Sequence, residues 1–136
     1  MTDQSRLEYL ISAANAGDKA AQEKFFEKLS VRFSKLITLE LRKHPVLKSG
    51  INIDKRSHEV CQYAIKEVKK LCPFGTPNFS LIPIMNVLHN ILDTVITNLL
   101  ADLAKKGNLE AENQLFSILR KRLMERITMR RGSDAK

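Results

Sequence analysis

The sequence has no tryptophan, two cysteines, four prolines and five glycines, and no lysine or arginine anywhere from Leu71 to Ala104. Each shortage excludes something. Two cysteines, Cys61 and Cys72, cannot build a disulfide framework. The three histidines, His44, His58 and His89, share no ligand spacing with them, so neither a metal nor any other cofactor is expected. Few glycines and prolines, beside plentiful Leu, Ala, Lys, Glu and Arg, favour helices over strands. The N-terminal MTDQSRLEYL lacks a basic stretch followed by an apolar run, so no signal peptide is expected.

The gap in positive charge coincides with the longest apolar stretch, Leu81 to Leu103. Its length suits a membrane span, but Asn86, His89, Asn90, Asp93, Asn98 and Asp102 would each be costly in lipid. The expectation is a buried core helix in a cytoplasmic protein. At 136 residues, 43% apolar and 28% charged, the chain fits one globular domain with a real core.

The net charge of +8 is unevenly placed. Residues 1–40 carry six acids and six bases, and residues 41–136 carry nine acids and 17 bases. The densest patch holds Arg120, Lys121, Arg122, Arg126, Arg130 and Arg131 against Glu125 alone. Such a patch suits phosphate backbones or an acidic protein surface. It equally suits a solvated helix face.

Periodicity and caps predict five helices. The first spans about Asp3 to Asn15, with Ser5 and Glu8 as a capping-box pair and Leu7, Leu10, Ile11 and Ala14 inward. Gly17-Asp18 ends it and caps the second, Lys19 to about Lys43, whose stripe is Phe26, Leu29, Phe33, Leu36, Ile37 and Leu41. Pro45 and Gly50 mark a loop. The third begins at Asp54 or Ser57 and ends near Leu71, with Cys61, Ala64, Ile65, Val68 and Leu71 inward. The fourth covers about Leu81 to Lys105 and is apolar round most of its circumference, which places it at the centre of a bundle or in a homodimer interface. Gly107-Asn108 repeats the stop-and-start signal. The fifth, Leu109 to about Arg130, turns Leu115, Phe116, Leu119, Leu123 and Ile127 inward, and residues 132–136 form a frayed tail.

The two turns belong to a longer echo at an offset of 90 residues. Residues 14–38 and 104–128 share Ala14/Ala104, Gly17/Gly107, Ala21/Ala111, Phe26/Phe116, Leu29/Leu119, Arg32/Arg122, Ile37/Ile127 and Thr38/Thr128. Duplication explains this, and so does convergence on a good helix–turn–helix.

Residues 5–105 resemble the second conserved region of bacterial sigma factors of the extracytoplasmic-function type. The resemblance rests on GDKAAQEKFF after the first helix, and on Glu59-Val60-Cys61-Gln62 followed by Ile65 in the third. It implies an all-α bundle and a third helix that docks on the clamp coiled coil of RNA polymerase through Glu59, Gln62, Lys66 and Lys69. Residues 106–131 then form an additional basic helix in place of the family's separate C-terminal DNA-reading domain.

Other departures weigh on function. Promoter melting in that family uses exposed aromatics and cations after the third helix. Here the loop offers only Phe74 and Phe79, and the helix after it has no lysine or arginine before Lys105. Phosphate contact is largely cationic and flipped bases need an aromatic platform. The expectation is a non-catalytic, transcription-associated helical module that docks on RNA polymerase or a sigma regulator. Its basic last helix would add non-specific nucleic-acid contact. The alternative is an interaction or homodimer module without nucleic acid. His89 with Asp93, and His58 with Glu59, lack a nucleophile at telling spacing, so no catalysis is expected.

Overall fold

A computed structural model describes the backbone of residues 3–134 and the side chains of residues 4–127. Among the described residues there are six helices and no strand: α1 (Asp3–Asn15), α2 (Lys19–Arg42), α3 (Pro45–Gly50), α4 (Ile53–Leu71), α5 (Leu81–Lys105) and α6 (Leu109–Asp134). The sixth is α3, where the sequence suggests a loop. Pro45 takes the first helical position, where its missing N–H costs nothing, and Val46 and Leu47 anchor the turn in the core. The chain packs as two compact units, Met1–Thr94 and Val95–Lys136.

In the first unit the centre is α2, where the sequence places the apolar helix 81–105. Phe25, Leu29, Phe33, Ile37 and Leu41 are all fully buried at a constant spacing of four, one stripe along a 24-residue helix. The stripe takes Phe25 rather than Phe26, and Leu36 is only half-buried. α1, α3 and α4 all pack on this helix. α1 brings the expected Leu7, Leu10, Ile11 and Ala14. α4 brings Ile53, Val60, Cys61, Ala64 and Val68, whereas Ile65 is half-buried and Leu71 exposed. Its cap is Asn52, whose Oδ1 accepts from the Lys55 amide at 3.2 Å. Ser57 instead lies buried within α4, 3.1 Å from Thr38 Oγ1.

α5 does not sit at the centre because it is two-faced. Ile84, Leu88 and Leu92 are buried in one direction, while Asn86, His89, Asn90 and Asp93 lie together in solvent. By length and composition α5 could cross a membrane, but it also exposes Asn98 and Asp102 further along the helix. The loop before α5 is clamped by one side chain. Asn15 donates to the Phe79 carbonyl at 3.2 Å and accepts from the Gly75 amide at 2.8 Å.

The second unit is an αα-hairpin. Its turn reproduces the α1–α2 turn bond for bond. Gly17 and Gly107 take φ of 99° and 93°, the left-handed region that suits glycine. Asp18 and Asn108 send their amides to the carbonyls of Ala13 and Leu103, both at 3.1 Å. Each then caps the next helix, Asp18 Oδ1 accepting from Ala21 at 3.2 Å and Asn108 Oδ1 from Ala111 at 3.0 Å. α6 extends to Asp134, through part of the expected tail; Ala135 and Lys136 lie outside the described residues.

Phe33→Ala removes a fully buried ring and should cost about 3–5 kcal/mol. Val31→Ala, on the outer face of the same helix, should stay within about 0.5 kcal/mol. Urea denaturation of the two variants checks this.

Candidate docking surfaces

The residues Glu59, Gln62, Lys66 and Lys69 recur at spacings of three and four, so helical geometry sets them on one side of α4. All four are exposed. Glu59 Oε2 accepts from Arg56 Nη1 at 3.2 Å, one turn back on the same helix. Lys69 places its ammonium 4.9 Å from the centre of the Phe26 ring, a cation–π contact that anchors one end of the face. Gln62 lines a groove of about 740 Å³ between α2 and α4. Val31, Cys61 and Ile65 give this groove an apolar lining, and Ser30, Ser34 and His58 add polar groups to it. Sequence reasoning finds Gln62 here but misses Val31, because an exposed valine on a long helix carries no signal of its own.

The two loop aromatics are engaged with the core. Phe79 is 1% exposed. It meets Phe74 edge-on at 4.6 Å and Phe25 at 5.0 Å, and Phe74 meets Phe26 at 5.8 Å. Such edge-to-face pairs stabilise the loop and leave no free ring face on Phe79 for a nucleobase.

The basic helix divides. Arg120, Lys121 and Arg126 are exposed. Arg122 is half-buried and turns toward α5, where its Nη2 donates to Thr97 Oγ1 at 3.2 Å. It therefore does not form a solvent ridge with Arg126. The side chains of Arg130 and Arg131 lie outside the described residues.

The apolar residues of α6 lie where the sequence does not place them. Phe116, Leu119, Leu123 and Ile127 are 58%, 44%, 58% and 37% exposed, and Leu115 is half-buried. Among the described side chains of this helix only Ala111 is fully buried. The physical reason is two-sidedness. Ala111, Leu115, Ile118 and Arg122 follow one line of the helix, and Phe116, Leu119, Leu123 and Ile127 follow another. A single packed seam covers the first line and leaves the second bare.

His58 and His89 are exposed, and no cluster of three or more metal-binding side chains occurs among the described residues. Both thiols are free and buried, and burial pushes each above its ordinary pKa. Cys61 also points its Sγ at the Ser30 carbonyl, 3.4 Å away. The chain matches no family model, no curated protein and no solved structure.

A thiol reagent at pH 8 should therefore label native Cys61 and Cys72 far more slowly than the same residues in denaturant, because the nucleophile is the thiolate. Mass spectrometry of the labelled protein checks this.

Proposed function

We propose that the protein is a non-catalytic, transcription-associated docking module. It resembles the second region of sigma factors and binds RNA polymerase, or a regulator of sigma factors, through the outer face of α4. The observation that carries this reading is the position of Gln62. It stands on the same exposed side of α4 as Glu59, Lys66 and Lys69 and lines the α2–α4 groove. A partner helix laid along that groove would meet an apolar lining and polar groups together, the combination that helix-in-groove recognition uses. The resemblance supplies the partner: a helical coiled coil of the polymerase clamp.

Promoter reading is not part of the proposal. Burial of Phe79 and the lack of any lysine or arginine on α5 before Lys105 argue for protein contact, with nucleic acid limited to non-specific attraction by Arg120, Lys121 and Arg126. A second reading, an interaction module without nucleic acid, is favoured by Arg122. It is held by Thr97 and so leaves the outward cations of α6 fewer than the sequence suggests.

Purified protein should be captured by core RNA polymerase, and a Gln62→Ala, Lys66→Glu double variant should lose most of that capture while keeping its helical circular dichroism. Absence of wild-type capture at micromolar concentration would sink the polymerase reading.

A further inference from the structure

The two halves of the 90-residue echo share a turn but not a fate. Leu29, Phe33 and Ile37 are fully buried, and α4 packs on the helix that carries them. Their counterparts in the echo are Leu119, Leu123 and Ile127, which are exposed. The second copy thus presents the same apolar line without the helix that covers it in the first. Phe116 extends the line by one turn.

The charges on α6 are polarised along its length. Glu110 and Glu112 lie in the first turn, and no base precedes Arg120. From there come Arg120, Lys121, Arg122 and Arg126, with Glu125 as the one acid among them. Glu112 and Arg126 stand on the same flank of the apolar line, just under four turns apart. A parallel pairing of two such helices would set like charges together. An antiparallel pairing about a two-fold axis at Leu119 would set Glu112 of each copy beside Arg126 of the other. It would also bring Phe116 of each against Leu123 of the other. Isologous symmetry makes each of these contacts occur twice.

We propose that α6 is a self-association helix, and that its bare apolar line is covered by α6 of a second copy in antiparallel orientation. Complementary charge is what selects the second copy as the occupant and sets the direction of pairing. The single opposing feature is Arg120, which lies near the axis and approaches its own copy. The pairing does not depend on the α4 surface, so a protein that ignores polymerase could still dimerise.

Analytical ultracentrifugation of the full chain over a range of concentrations tests this, with circular dichroism to check each variant. Wild type should shift from monomer to dimer as concentration rises. Leu119→Glu, which places two carboxylates on the axis, should weaken the dimer by roughly a hundredfold. Glu112→Arg and Arg126→Glu should each weaken it by about tenfold, since each reversal acts twice, and the double exchange should restore it. These charge variants sit at the surface and test the pairing even if Leu119→Glu fails to fold. A monomer at all concentrations up to about 100 μM, well above the range of useful dimers, would overturn the proposal. So would a dimer indifferent to Leu119→Glu, or a double exchange that does not rescue the single ones.

Discussion

Burial of one line of side chains on α2 is the constraint from which the rest of the first unit follows. Phe25, Leu29, Phe33, Ile37 and Leu41 leave no part of that line in water. A helix this long, with so continuous a stripe, has to be covered along its whole length, and no single neighbour does it. α1 covers it with four residues, α3 with the short Val46–Leu47 pair, and α4 with the face that runs from Ile53 to Val68. The outer face of α4 is positioned as a consequence. Gln62 reaches the groove because Cys61 is held inward against the Ser30 carbonyl on α2.

The same local chemistry produces a different result in the second unit. Gly107 and Asn108 build a turn as well made as Gly17 and Asp18, with the same capping bond and the same amide-to-carbonyl contact. Turn geometry is local, set by a left-handed glycine and a short polar cap. Covering a helix is not local, because it needs a partner that the turn cannot supply. α6 therefore carries an apolar line with the spacing of a core helix and the exposure of a surface. A contiguous exposed patch of this kind marks an interaction site more often than an idle surface.

Much of this was legible in the residues themselves. The turns at Gly17 and Gly107, the inward face of α1, and the bounds of α1, α2 and α5 all follow from caps and period. What escaped had a physical cause in each case. Phe25 and Phe26 are adjacent and equally apolar, so period alone does not say which one enters the core. Asn52 outcompetes Asp54 and Ser57 as a cap because the short α3 delivers the chain there, and that helix is too brief to show a period. α5 looks apolar all round when its Leu and Ile are counted. Asn86, His89, Asn90 and Asp93 nevertheless share one face, which lies in solvent. The α4 surface could be read only through resemblance, and the α6 surface could not be read at all, since a core stripe and a docking stripe have the same sequence.

The central claim is that two helices with the same apolar line differ in what covers it. Amide hydrogen exchange at high and low protein concentration measures this directly. Amides along α2 should be strongly protected at both concentrations, and those of α6 beyond Leu119 should be weakly protected when dilute and gain protection when concentrated. Protection of α6 equal to that of α2 and independent of concentration would contradict the account, for it would mean that the face is already covered within one chain.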